Sequence, residues 1–155
     1  MKPLFVLLAV TLASLFIVKF FTQEYNFHLA AKIGMSAMLF FTAMGHFIYS
    51  KGMAMMIPPV IPGKTEIVYA TGVLEIILGI FLLIPKFSVT TGWIIILFFI
   101  LILPANVYAA MSHINYQRAT FDGQGINYLW FRIPLQILFI VWVYISAIKV
   151  SYETI

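Results

Sequence analysis

The stretch IVYATGVLEIILGIFLLI, residues 67–84, decides the fold, because it is almost entirely apolar and carries a single charged side chain. At about 1.5 Å of rise per residue, a helix of this length crosses most of the ~30 Å hydrocarbon core of a bilayer. The charged residue, Glu75, lies near the middle of the stretch. A carboxylate at that depth costs on the order of 2.5–3.5 kcal/mol to insert, so we expect Glu75 to face protein and to have a partner or a task.

The composition of the whole chain indicates the same class of protein. Of its 155 residues, 63% are hydrophobic and 9% are charged, and a soluble fold of this size cannot bury that much apolar surface. None of the long apolar segments alternates as a half-exposed strand does. We therefore predict an all-α polytopic membrane bundle, a single domain over residues 1–155 with short connectors. Its predicted spans are 3–21, 29–49, 67–84, 89–111 and 129–148.

The first segment follows Lys2 and also resembles a signal peptide. No small-x-small cleavage site follows its apolar run, so we predict a retained first helix. Five spans leave equal numbers of lysines and arginines in the loops on the two sides, so the positive-inside rule does not decide the orientation. Arg132 and the amino terminus favour a cytoplasmic N-terminus.

Two absences from the sequence limit the function classes. The chain has no cysteine, which excludes disulfides, thiol redox relays and Cys-ligated clusters or zinc sites. It has no run of basic residues, so its net charge of +4 reflects loop lysines in contact with anionic lipid. We predict no metal site and no nucleic-acid partner.

The polar residues inside the spans fall in one half of the bundle, on the side of the N-terminus, here named side A. Successive spans alternate in direction, so the second and fourth end at side A, and the third and fifth begin there. At 1.5 Å per residue, a set of five polar side chains lies within ~15 Å of side A. These candidate site residues are His46, Glu75, Asn106, Arg132 and Gln136.

Helical spacing indicates that Glu75 faces inward. Gly72 lies about one turn before it and Gly79 about one turn after it, and small residues on that face let another helix approach closely. Arg132 and Gln136 are four residues apart and share a face of the last span. We predict that the candidate site residues line one cavity or polar network.

Each member of this set has more than one role open to it. Glu75 suits a structural ion pair with Arg132, a ligand or proton site, or a contact with a partner protein. Asn106 and Gln136 suit hydrogen bonds between helices. Asn106 also follows Pro104, which is expected to kink its helix.

His46 suits a pH-sensitive gate, a hydrogen-bond donor to a carbonyl ligand, or a haem ligand. Bis-histidine haem needs two facing histidines at like depth, and only His113, near the side-A end of the fourth span, could pair with His46. Haem is therefore not the favoured role. The cluster of Met53, Met55 and Met56 precedes a proline-rich stretch. It predicts a short amphipathic segment lying on the bundle, with a Met-rich lid over a side-A cavity as the alternative.

An ordered set of motifs between Lys32 and Lys149 resembles the DoxX-like family of small membrane proteins. The resemblance covers four of the five predicted spans, and the order and spacing of the motifs make it specific. The motifs are Gly45-His46-Phe47, Pro58-Pro59 with Pro62, Tyr69 through Gly72-Val73-Leu74-Glu75 with Gly79, Pro104-Ala105-Asn106, and Arg132-Ile133-Pro134-Leu135-Gln136.

The resemblance implies a four-helix core, to which the first span adds an N-terminal helix. Family members are similar to membrane subunits associated with thiosulfate:quinone oxidoreduction and with quinone or oxidative stress responses, and a distant vertebrate relative resembles a receptor-assembly chaperone. The positions that match the family motifs are the five candidate site residues. We expect the protein in a bacterial cytoplasmic membrane.

Three functions are compatible with these features, and none includes a catalytic residue or a redox centre of the chain's own. The first is a non-catalytic accessory or assembly subunit of a larger membrane complex, or a homo-oligomer, in contact with the bilayer. The second is a redox-linked subunit that binds a quinone or similar amphiphile at side A. There Arg132 or His46 would donate to the carbonyl oxygens and Glu75 would exchange a proton. The third is a proton or small-solute transporter, against which the lack of an internal repeat argues.

Overall fold

A computed structural model describes residues 2–149, and these residues form a helical bundle without a strand. The predicted all-α class is therefore confirmed for this part of the chain. A π-helical segment, Tyr144–Lys149, continues directly from the last α-helix. The α-helices are α1 (Lys2–Thr22), α2 (Phe27–Ile48), α3 (Ser50–Met55), α4 (Lys64–Leu83), α5 (Ser88–Met111) and α6 (Asn127–Val143).

Five helices of this bundle are long and apolar enough to cross a membrane: α1, α2, α4, α5, and α6 together with the π-helical segment. Each corresponds to one predicted span, with ends that differ by a few residues. Helix α2 begins at Phe27 rather than at Leu29, because the Asn26 side chain accepts a hydrogen bond from the Leu29 backbone nitrogen and caps the helix.

Helix α2 lies at the centre of the packing, with α1 on one side and α4 on the other. Helix α4 also contacts α5, α5 contacts α6, and the π-helical segment returns to α2. These contacts close a ring of four long helices, and α1 lies outside it. Among the largest buried side chains of the described residues are Leu7, Met35, Leu39, Leu82, Ile95, Val143 and Ile148.

The outer surface of the bundle is apolar over most of its long helices. On α1, the side chains of Phe5, Phe20 and Phe21 are exposed, and only Leu7, Thr11 and Ser14 of this helix are buried. A helix that exposes large apolar side chains on most of its surface is typical of contact with lipid.

Two glycines set the position of the helices around side A. A Cβ atom at Gly72 of α4 would lie 2.8 Å from the Cβ atom of His46, so only a glycine lets α2 come this close. A Cβ atom at Gly52 of α3 would collide with the backbone of Tyr116, in the connection between α5 and α6. The close approach predicted at Gly72 is thus observed, and the α5–α6 connection packs against α3.

Helix α3 contains Met53 and Met55 and ends before the proline pair at Pro58 and Pro59. It packs against α4, as the predicted proline-stopped segment on the bundle would. Helix α5 includes Pro104 and continues as a helix to Met111.

Candidate functional site

A cavity of about 850 Å³ lies inside the side-A half of the bundle. Helices α2, α4, α5 and α6 form its walls, α3 with the segment after it and the α5–α6 connection cover one end, and the first residues of α1 contribute to the rim. Apolar side chains such as Phe98, Phe99 and Phe139 make up most of the lining. All five candidate site residues also line it: His46, Glu75, Asn106, Arg132 and Gln136.

Hydrogen bonds to α4 orient the imidazole of His46. Its Nδ1 atom lies 3.0 Å from the carbonyl oxygen of Val68 and 3.0 Å from the hydroxyl oxygen of Thr71. A carbonyl oxygen can only accept, so Nδ1 carries a proton and donates it. The Thr71 hydroxyl donates to backbone carbonyls of its own helix, which leaves its oxygen to accept from His46.

The other imidazole nitrogen of His46 faces Glu75. Nε2 lies 3.7 Å from the carboxylate oxygen Oε1, which is an ion-pair contact longer than a hydrogen bond. Because Nδ1 donates to α4, Nε2 is the nitrogen through which His46 contacts the carboxylate, and this contact links α2 to α4.

The ion pair between Glu75 and Arg132, one of the roles predicted for Glu75, does not form. Among residues 2–149, the basic side chain in ion-pair contact with the Glu75 carboxylate is His46. The reason is helix order and spacing: Gly72 brings α4 against α2 at His46, so the imidazole reaches the carboxylate. Glu75 is only 4% exposed, and its second oxygen, Oε2, is buried without a hydrogen-bond partner.

Gln136 links α6 to α5. Its amide nitrogen donates to the backbone carbonyl of Phe99, while its amide oxygen is buried without a partner. Asn106 instead bonds within its own helix, donating to the carbonyl of Ile102 at 3.2 Å. The predicted role as an interhelical hydrogen-bonding group is therefore confirmed for Gln136 and wrong for Asn106, whose side chain reaches the carbonyl one turn earlier on α5.

Arg132 is half-buried and takes part in no ion pair or hydrogen bond within the described part of the chain. Its Nε atom is buried without a partner. A guanidinium offers five N–H donors and no acceptor, so this side of the cavity can bind an oxygen atom of a ligand.

Sequence reasoning did not name Tyr49, Tyr116, Tyr128 or Thr71 as site residues, although all of them line the same cavity. Tyr128 precedes Arg132 by one helical turn, and Thr71 precedes Glu75 by one turn, so the four-residue spacing could have found both. Tyr116 lies in the α5–α6 connection, where no periodicity points to it. Burial and then the neighbouring Tyr128 raise the pKa of Tyr116 above its usual value, against smaller opposing effects of Gln117 and Arg132.

The remaining histidines and acidic residues add no metal centre to this region. No group of three His, Cys, Asp or Glu side chains suited to a metal ion occurs within residues 2–149. His113, which bis-histidine haem would require opposite His46, lies against Gly125 and outside the cavity lining. The donor set is therefore one of hydrogen-bonding groups around an apolar space.

Fold and site together define a class of protein: a bundle with five helices of membrane-spanning length and apolarity, and an apolar cavity in which a half-buried histidine contacts a buried glutamate. The chain belongs to the family described as a domain of unknown function, DUF8561, which matches residues 35–147. The matched range includes the five candidate site residues and leaves α1 outside. No curated protein and no solved structure matches the chain.

Proposed function

We propose that this chain is an integral membrane protein of a bacterial cytoplasmic membrane and that its cavity binds an amphiphile of quinone size. Five helices of spanning length with exposed apolar side chains support the first part. A volume of about 850 Å³ supports the second, because it lies in the range of roughly 300–1,000 Å³ that small-molecule sites occupy.

The observation that carries the proposal is the pair of buried, unpartnered oxygen atoms of Glu75 and Gln136 in the lining of this cavity. Buried polar atoms in proteins nearly always have a hydrogen-bond partner. A polar cluster whose only task is to join helices would satisfy its atoms among its own members. Glu75 and Gln136 do so only in part, and unlike the unpartnered hydroxyls of Ser88 and Ser146 they line a cavity, which favours a ligand over a purely structural role.

Each polar group has a distinct task in this proposal. Arg132 donates hydrogen bonds to an oxygen of the ligand head, and the His46–Glu75 pair holds a proton beside it. The ring and tail of the ligand occupy the space between Phe98, Phe99 and other apolar side chains of the lining. Electrons for any redox reaction come from a partner protein or from a bound quinol.

The accessory-subunit and transporter hypotheses stay predictions, as do the resemblance to the DoxX-like family and a protein partner or homo-oligomer. An accessory subunit that also binds a quinone would have the same cavity. Amphiphile binding is therefore the narrower and more testable proposal.

The test is titration of a decyl-substituted benzoquinone into the protein in lipid nanodiscs, followed by tryptophan fluorescence. We expect the quinone to quench the tryptophan fluorescence of the protein in a saturable way. Empty nanodiscs mixed with a free tryptophan analogue are the control and should show no saturation. Ala105→Phe, which places a ring in the cavity lining, should weaken binding at least tenfold. Ala70→Phe, the same change at an exposed position of α4 outside the lining, should leave it unchanged. Non-saturable quenching, equal in both variants, would contradict the proposal.

A further inference from the structure

We propose that the cavity selects amphiphiles whose polar head carries a hydroxyl donor, such as a phenol or a quinol, over matched molecules whose head can only accept hydrogen bonds. The inference rests on the proposed function and specifies the ligand class of the same site. It follows from the direction of the hydrogen bonds that the buried side chains already make.

The orientation of Gln136 leaves an acceptor for the ligand. The backbone carbonyl of Phe99 can only accept, so the amide nitrogen of Gln136 must face it. The amide oxygen, which is buried and unpartnered, is therefore the atom that still needs a hydrogen bond. The amide group of Asn106 is oriented in the same way: its nitrogen donates to the carbonyl of Ile102, and its oxygen can only accept.

The orientation of His46 leaves a second acceptor on Glu75. Nδ1 donates to α4, and Nε2 of His46 faces Oε1 of Glu75 at 3.7 Å. The remaining oxygen of Glu75, Oε2, is then an acceptor without a partner. The terminal torsion of a glutamate is broad, so the carboxyl group can turn Oε2 toward a ligand without leaving a favoured rotamer.

Among the described residues that line the cavity, Glu75 and Gln136 are more than nine-tenths buried and have an unpartnered atom, and both offer an acceptor, from α4 and from α6. Arg132 offers donors in the lining of the same cavity. A hydroxyl group matches this arrangement, because it donates one hydrogen bond and its oxygen accepts others. A carbonyl or ether head can accept from donors such as Arg132, but it leaves both acceptors buried and unpaired.

The aromatic residues of the lining favour a ring behind that hydroxyl group. Phe98, Phe99 and Phe139 line the cavity, and the Phe99 and Phe139 ring centroids lie 5.9 Å apart. Aromatic side chains pack well against a further ring at such distances. A phenol with an alkyl tail therefore provides the head, the ring and the apolar chain that the cavity can accommodate.

The test compares 4-octylphenol with 4-octylanisole, which differ only in that a methyl group replaces the hydroxyl proton. Binding to the protein in nanodiscs is measured by calorimetry, with empty nanodiscs subtracted. We expect the phenol to bind at least tenfold more tightly, since a site built to pair a hydroxyl discriminates strongly against an analogue without it. Equal affinities, or tighter binding of the anisole, would overturn the inference.

A variant pair locates the effect in the cavity. Gln136→Met removes one acceptor at similar side-chain length and should lower phenol affinity by about three- to tenfold while leaving anisole affinity unchanged. Gln124→Met, at an exposed position outside the lining, is the matched control and should change neither. If Gln136→Met does not fold, the comparison of 4-octylphenol with 4-octylanisole on the unaltered protein still tests the inference.

The decyl-benzoquinone titration separates this inference from the proposed function. If the benzoquinone binds in the cavity and the phenol does not, the inference is wrong and the amphiphile site stands. If none of the three probes binds, the proposed function fails, and the inference fails with it.

Discussion

The two halves of the bundle differ in how they use their buried groups. Away from side A, helices pack closely: Ser36 on α2 donates to the Gly79 carbonyl at 2.8 Å, and the Trp142 indole donates to the Ala31 carbonyl at 3.1 Å. Its buried unpartnered atoms are the Ser88 and Ser146 hydroxyls and an imidazole nitrogen of His28. The side-A half also has unpartnered atoms, on Glu75, Gln136 and Arg132, but there these residues line a cavity of about 850 Å³.

Under the proposed function, this difference separates stability from binding within one chain. The packed half joins the helices through small residues and backbone carbonyls, as membrane helices commonly associate. The cavity half carries a carboxylate and a guanidinium, which are costly inside a membrane and are tolerated where they serve a site. Substitutions should therefore act mainly on stability in the first half and mainly on binding in the second.

The largest effect on stability should come from the packed half. Leu82→Ala truncates a side chain that is 0% exposed and should lower the free energy of unfolding by about 2–5 kcal/mol, because neighbouring side chains cannot fill the space. Leu74→Ala, the same truncation at a partly exposed position in the cavity lining, should cost less than about 1 kcal/mol. Denaturation of both variants in detergent measures the difference, and equal losses would break the distinction between the halves.

A second prediction tests which residue is the partner of Glu75. In a double-mutant cycle, Glu75→Gln and His46→Gln should show a coupling of about 0.5–3 kcal/mol, because the two side chains are in contact. Glu75→Gln with Arg132→Gln should be additive within about 0.5 kcal/mol. Melting curves of all the single and double variants provide the numbers. A larger coupling to Arg132 than to His46 would restore the ion pair first predicted from the sequence.

The smallest expected effect is on stability at alkaline pH, and it comes from Tyr116 at the covered end of the cavity. Burial raises the pKa of Tyr116 in the folded protein, so in the unfolded chain this tyrosine loses its proton at lower pH. The stabilisation is fully present below pH of about 10 and is lost as the pH rises through the folded-state pKa. Tyr116→Phe should therefore show a shallower fall in melting temperature between pH 9 and 11. Identical slopes for the two proteins would contradict this assignment.

The sequence predicted the spans well, because long apolar runs admit few structures, and counting span directions placed the polar residues in one half. The prediction that Arg132 is the partner of Glu75 was wrong. The sequence does not show how each helix is rotated or which helices are neighbours, because contacts such as that of Gly72 with His46 determine both. The π-helical segment Tyr144–Lys149 was also missed, because no proline or glycine marks it. Tyr116 reaches the cavity because the α5–α6 connection packs against α3. The periodicity of the sequence gives no indication of such a contact.

The central claim is that the space between α2, α4, α5 and α6 is a binding site for an amphiphile. Photolabelling with an azido-substituted decyl-benzoquinone, followed by peptide mass spectrometry, tests it most directly. We predict labelling of the lining peptides of α4 and α5, such as those containing Thr71 or Phe98, and suppression of that labelling by excess unmodified decyl-benzoquinone. Labelling spread over the exposed apolar face of α1, without such competition, would contradict the account.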